Sequence, residues 1–266
     1  MSKKGNTILE IYQICQKKNN YEFDNDLVKK ISKKYGFGNP FDATAIHTSS
    51  TLPDELLRED IGLIHLGKGK HKFIKGVNKI FHNFEKIQKE IDWEYKRSLL
   101  NLYNTSESNI LSVANNQRIL HHFLFGHDKE FDNIDITKRP KTYFPHRTKA
   151  SFSYNFGKDT IVNFDKIQIE IDLTIEYDGT IGVFEGKNGM RENFAVYQIY
   201  HPFLYYFNAN EDSSIKGRIK NIICIYVVKT IENKITKLKL WSYSFQNPKD
   251  ITSIKFMKSA CYKLID

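Results

Sequence analysis

Apolar positions near the start of the chain recur at helical spacing. Ile8, Ile11, Tyr12 and Cys15 fall on one face between Thr7 and Lys18, and Leu27, Val28 and Ile31 do the same between Asn25 and Tyr35. Gly36-Phe37-Gly38-Asn39-Pro40 breaks the second helix. The segments 61–66 and 71–75 then flank Gly67-Lys68-Gly69-Lys70, which reads as a hairpin with a basic, Gly-rich tip. Helices followed by a basic hairpin predict an N-terminal module over residues 1–80. It is either a winged helix-turn-helix, with Lys68, Lys70 and Lys72 set against DNA phosphates, or a small helical cap with a solvated turn. The tip lacks the Gly-x-x-x-x-Gly-Lys-Ser/Thr spacing of a phosphate loop.

Helical spacing returns over 86–101 and 108–125, with Ile110, Leu111, Val113, Ile119, Leu120 and Phe123 as the buried set. His121 and His122 are neighbours that point in different directions with no acid at i+4, which predicts surface histidines rather than metal ligands. The polar segment 128–149 carries Pro140 and Pro145 and reads as a loop. Its Arg139, Lys141 and Arg147, interleaved with Tyr143 and Phe144, suit a phosphate backbone as well as plain solvent. Beyond Ser151 the pattern turns to strands, with a helix expected over 193–206, further strands over 219–229 and 235–245, and a closing element over 251–265. The division is therefore 1–80 and 81–266, an α/β core with a mixed central sheet flanked by helices behind an N-terminal helical or winged-helix-like module.

Lys and Arg outnumber Asp and Glu by 40 to 31, a formal charge of +9 that attracts polyanions before any specific contact forms. The longest apolar stretch, 222–228, is far short of the ~20 residues of a spanning helix. Ser2-Lys3-Lys4-Gly5 leads into an amphipathic segment without the apolar core of a signal peptide, so a cytoplasmic protein is expected. Cys15, Cys224 and Cys261 are too widely spaced for a disulfide framework or a zinc site and read as small buried hydrophobes.

The most informative pair of strands is 168–177 and 180–187, joined by Asp178-Gly179. An Asp-Gly pair between β-rich runs signals a two-residue hairpin turn, and that sets the register. With Tyr177 opposite Thr180, paired positions sum to 357, so Asp172 is expected to face Glu185 and Glu170 to face Lys187 on one face. Ile171, Leu173, Ile175 and Phe184 take the other face. Like charges at paired positions are destabilising, but a divalent cation between two carboxylates turns the repulsion into coordination by hard oxygens, which suits Mg²⁺. Lys187 can then hold or help deprotonate an attacking water and stabilise charge on a phosphate. The plain alternative is a Glu170–Lys187 ion pair on a solvated sheet.

Glu170-Ile171-Asp172, followed thirteen positions later by Glu185-Gly186-Lys187-Asn188, resembles the PD-(D/E)xK nuclease superfamily and, within it, the type II restriction endonucleases. Ile171 stands where the motif's name has proline. The resemblance covers residues 165–206 and implies a restriction-endonuclease-like core, Asp172 and Glu185 as Mg²⁺ ligands, and Lys187 beside the attacking water. It also implies cleavage of double-stranded DNA at a specific sequence, a homodimer, and a cognate DNA methyltransferase. Gln198, on the helix that follows, and Arg191, in the connection, are secondary candidates together with Glu170. A repair or mobile-element nuclease of the same superfamily and a non-catalytic DNA-binding regulator remain open.

Overall fold

The computed structural model describes residues 2–94, 106–126, 133–158 and 160–265. The N-terminal pattern folds as its periodicity predicts. Helix α1 (Lys3–Lys18) is capped by the Ser2 side chain, which accepts from the Gly5 N–H, and buries Ile8, Ile11, Tyr12 and Cys15. Strand β1 (Glu22–Asp24) leads into α2 (Asn25–Lys34), whose first turn is closed by Asp24 accepting from Asp26 and Leu27. The short helices α3 (Pro40–Ala43) and α4 (Asp54–Arg58) precede the hairpin of β2 (Ile61–Gly67) and β3 (Lys70–Lys75). The three strands form one antiparallel sheet in the order β1-β3-β2.

After α5 (Val77–Ile80) and β4 (Phe81–Asn83) comes the first departure from the sequence pattern. Within 86–101, where a helix is expected, residues Lys89–Glu94 form a strand, β5; residues 95–101 lie outside the described residues. Ile91 and Trp93 alternate along it opposite Tyr262 and Leu264, so an available sheet edge overrides helical spacing. The helix expected over 108–125 is two, α6 (Glu107–Asn116) and α7 (Ile119–Phe125), separated at Arg118 with φ +62°. All six expected core residues of this pair are buried. His121 is buried and so is not a surface histidine, while His122 is half-buried, with Nδ1 2.7 Å from the Tyr262 hydroxyl.

The described part of the expected 128–149 loop is strand at its end, in β6 (Lys141–Tyr143) and the start of β7 (His146–Asn155), because polar residues are tolerated at a sheet edge. Strands β8 (Ile161–Ile171), β9 (Leu173–Tyr177) and β10 (Thr180–Asn188) follow. The helix expected from residue 193 begins later: Asn193–Ala195 is a short strand, β11, paired with β4, and α8 runs Tyr197–Asp212. The chain closes with β12 (Asn221–Glu232), β13 (Ile235–Phe245) and β14 (Ile254–Ile265).

Among the described residues, seven strands make the central mixed sheet, in the order β5-β14-β13-β12-β10-β9-β6, with β12 parallel to β10 and β14 parallel to β5. On one face, α6 and α7 set Leu111, Leu120 and Phe123 against Leu173, Ile175, Phe184 and Ile225. On the other, Ile199, Tyr200 and Phe203 of α8 cover Ile181, Val183 and Tyr226 in an apolar cluster continuous with Ile8, Ile11 and Leu63 of the N-terminal module. The module is thereby fixed to the rest of the chain by burial of apolar surface. Its hairpin tip sits on β8: a Cβ at Gly67 would collide with the Asp165 carbonyl, and Lys68 Nζ is 2.6 Å from Asp165 Oδ2. The three cysteines are buried and free. No helix among the described residues is long and apolar enough to cross a membrane.

Candidate active site

The Asp178-Gly179 turn sets the register as its type predicts, with Tyr177 opposite Thr180 and pairing continuing to Leu173 opposite Phe184. There the expected ladder stops. Asp172 is a bend at which the chain leaves the central sheet, and β8 pairs with β7. The expectation that Glu170 faces Lys187 is therefore corrected: Glu170 is the cross-strand partner of Arg147, whose Nε and Nη2 donate to its Oε1 at 3.1 and 2.9 Å. Asp172 and Glu185 are likewise not paired positions. The Asp172 carboxylate turns to the facing strand and accepts from the Gly186 N–H at 3.0 Å. The same bend splits the expected apolar face, sending Ile171 to the α8 side and Leu173 to the α6 side.

Strand β10 is buried from Ile181 to Lys187 and continues to pair with β12 on its other edge. Glu185 and Lys187 share the face of Ile181 and Val183, while Gly182 and Gly186 face the α6–α7 layer. A Cβ at Gly186 would lie 3.0 Å from Leu111 Cγ and 3.3 Å from the Glu107 carbonyl. Glycine here lets the first turn of α6 approach the strand and brings Glu107 to the site. Lys187 Nζ lies 2.9 Å from Glu107 Oε2 and 3.0 Å from Glu185 Oε1. Gln198, near the start of α8, donates from Nε2 to Glu185 Oε1 at 2.8 Å, and its own Oε1 is buried without a hydrogen bond among the described residues.

Burial pushes the Glu185 carboxyl up to about 8, with Lys187 opposing and Asp172 and Glu107 reinforcing the rise. The Asp172 carboxyl is raised by burial too, against the Gly186 N–H and Lys187. Burial works against the Lys187 ammonium, but Glu185 and Glu107 outweigh it and hold its pKa above the usual lysine range. His47, at the margin, is lowered to about 4 by burial and then by the charges of Lys187 and Arg191. Asp172, Glu185, Lys187, Glu107, Gln198 and Glu170 all line one polar cleft of about 350 Å³.

Glu107 escaped the sequence reading. An acid in the first turn of a helix is explained by the helix dipole alone, so nothing local marked it. Arg191 lines a neighbouring depression with Lys4 and His47. Of the expected DNA-contacting residues, Lys68 is paired with Asp165, Lys72 with Glu22 at 3.0 Å and Arg147 with Glu170, while Lys70 is exposed. Lys141 is 3.9 Å from Glu176 and Arg139 donates to the Ile134 carbonyl at 2.8 Å.

Among the described residues, no group of three or more His, Cys, Asp or Glu side chains is arranged to hold a metal ion. Mg²⁺ asks for less, because it keeps several waters and is commonly bound through one or two carboxylates and substrate phosphates. Asp172, Glu185 and the unpartnered Gln198 Oε1 are hard oxygen donors of that kind.

Residues 76–263 match the family described as Domain of unknown function (DUF6997), and the chain belongs to that family. Residues 6–73 match a second, described as Domain of unknown function (DUF6996). No curated protein and no solved structure matches the chain.

Proposed function

We propose that the protein is a Mg²⁺-dependent endonuclease that hydrolyses phosphodiester bonds in double-stranded DNA at a specific sequence, in the manner of a type II restriction enzyme. The observation that carries this reading is the meeting of Asp172, Glu185 and Lys187 in one polar cleft, with Lys187 Nζ 3.0 Å from Glu185 Oε1. Two carboxyls raised by burial beside a buried lysine support it, since burying such groups adds little stability and perturbed acids cluster at functional sites. The mixed sheet with helices on both faces is the kind of core the resemblance implies, and the order α1-β1-α2-α3-α4-β2-β3 with sheet order β1-β3-β2 resembles a winged helix.

Asp172 and Glu185 would hold the Mg²⁺, which when bound supplies Lewis-acid polarisation of a phosphate and a more acidic water. Glu185 would hold the ion as its carboxylate, so its proton would have to leave. Lys187, kept charged by Glu107, donates toward charge developing on the phosphate oxygens. Gln198 holds the Glu185 carboxyl in place through its amide N–H. A homodimer and a partner methyltransferase follow from the resemblance and belong to the same proposal.

The test is incubation of the purified protein with phage or plasmid DNA in Mg²⁺, followed by sequencing of the ends. Discrete ends are expected, and Lys187→Ala is expected to lose at least ~100-fold in cleavage while keeping its DNA affinity. Heterogeneous ends would move the reading to a structure-directed repair or mobile-element nuclease. Intact DNA alongside tight, salt-sensitive binding would leave a non-catalytic DNA-binding regulator.

A further inference from the structure

Beside the candidate active site lies a depression of about 470 Å³ whose wall comes from both parts of the chain. Lys4, Thr48 and Ser50 belong to the N-terminal module, and Arg191 to the connection between β10 and β11. His47 lines this depression and the active-site cleft alike, so the two spaces meet at one side chain. The segment that carries His47 is stitched to the core. The Ala195 N–H donates to the His47 carbonyl at 3.0 Å, the Ser49 N–H to Asn193 Oδ1 at 2.9 Å, and Asn193 Nδ2 to Ser49 Oγ at 2.6 Å. These bonds hold the module's share of the wall at the edge of the cleft.

The wall brings cations together. Arg191 is half-buried and makes no hydrogen bond or ion pair among the described residues, in contrast to the paired Lys68, Lys72 and Arg147. Lys4 is half-buried too, and its Nζ donates to the Ala45 carbonyl at 2.7 Å, which leaves two ammonium N–H groups to donate elsewhere. Against them the wall sets the acid Glu192, which is exposed. Burial lowers the His47 pKa, and Lys187, Arg191 and Lys4 lower it further, so cations from both spaces act on the side chain that joins them. Like charges held at partly buried positions repel one another, and an anion between them removes that cost. The Thr48 and Ser50 hydroxyls, 3.0 Å apart, add groups of the kind that bind phosphate.

We propose that this depression binds a backbone phosphate of DNA next to the one held in the active-site cleft, with Arg191 and Lys4 as its cationic contacts. A phosphodiester strand that leaves the cleft past His47 enters the depression, and a chain of regularly spaced anions is the ligand that fills two adjoining cationic sites at once. Contacts of this kind fix the register of a duplex and carry no sequence information. A strand in that position rests on the nuclease reading of the cleft. The N-terminal module then positions substrate through residues separate from its basic hairpin tip.

The full-length protein, in EDTA so that nothing is cut, is titrated against a fluorescein-labelled DNA duplex by anisotropy over a series of NaCl concentrations. Wild type is expected to bind with a steep salt dependence. Arg191→Gln should weaken binding about tenfold and flatten the slope of log K against log salt by about one, the signature of one lost phosphate contact. Lys4→Gln should flatten it likewise, while Lys4→Arg, which keeps the charge, should not. Glu192→Gln, which removes the opposing acid, should strengthen binding about two- to fivefold. Lys216→Gln, the same loss of charge at an exposed site beyond the far end of α8, should leave the slope unchanged. No salt-sensitive binding in wild type, an unchanged slope in Arg191→Gln, or equal weakening by Arg191→Gln and Glu192→Gln overturns the proposal. Cleavage in Mg²⁺ is scored in parallel. Cut DNA with an unmoved slope would sink the phosphate site and spare the nuclease reading. The expected slopes with intact DNA would overturn the nuclease reading and leave the depression as a DNA phosphate site.

Discussion

The Gly186 N–H donates to Asp172 Oδ2 at 3.0 Å at the point where β9 and β10 stop pairing. A side chain thus takes the place of a backbone acceptor, and the acid is held against the acid-Gly-Lys strand by the hydrogen bond the ladder would otherwise have made.

This contact separates two substitutions at one position. Asn keeps an oxygen for the Gly186 N–H and removes a buried charge near Glu185. Asp172→Asn should therefore be inactive but at least as stable as wild type in EDTA, by a few tenths to about 1 kcal/mol. Asp172→Ala, which leaves the N–H without a partner, should lose about 1–3 kcal/mol. Urea melts of the three proteins in EDTA decide it; equal losses for Asn and Ala would mean the carboxylate's charge itself is structural.

Glu185 makes metal binding depend on pH. Its folded pKa of about 8 lies above the ordinary 4.5, so between these values the folded chain holds more protons than the unfolded one. Stability of the metal-free protein should fall as pH rises through that window, and Glu185→Gln should flatten the fall. A ligand must also release this proton. Affinity for Ca²⁺ or Mg²⁺, followed by calorimetry without DNA, should tighten up to ~10-fold per pH unit on the way to pH 8 and then level off. A pH-independent affinity would remove Glu185 from the ligand set.

Glu107 is expected to position Lys187 without touching substrate. Glu107→Gln weakens the field that keeps the lysine charged, so the alkaline limb of the cleavage pH profile should move to lower pH. The loss at neutral pH should be roughly 10-fold, smaller than for Lys187→Ala. An unmoved alkaline limb would reduce Glu107 to an ordinary first-turn acid.

The hairpin was legible because Asp178-Gly179 is a local signal, and local chemistry holds as far as the local partner does. At Asp172 it ends. The alternation from Gln168 to Tyr177 runs unbroken through the bend, and only the presence of β7, more than ten residues earlier, decides that β8 changes sheets. The strand β5 is a similar case. Ile87 and Ile91 are four apart and Ile91 and Trp93 two apart, so both periods fit, and the free edge of β14 selects one. Glu107 reaches Lys187 across 80 positions of sequence because Gly186 lets a helix close on a strand, a relation that no spacing motif encodes.

The bend at Asp172 has a mechanical side. One residue joins a strand of the two-stranded β7–β8 arm to a strand of the central sheet, and it is tied by its side chain to Gly186. If the arm tilts, it turns about that residue as an oar turns in its rowlock. Displacement grows with distance from the fulcrum, so the far end at Asn155 and Ile161 travels and the Asp172 carboxylate stays nearly still. The acid stands at the junction of the two sheets, where the Gly186 N–H fixes it whatever the arm does.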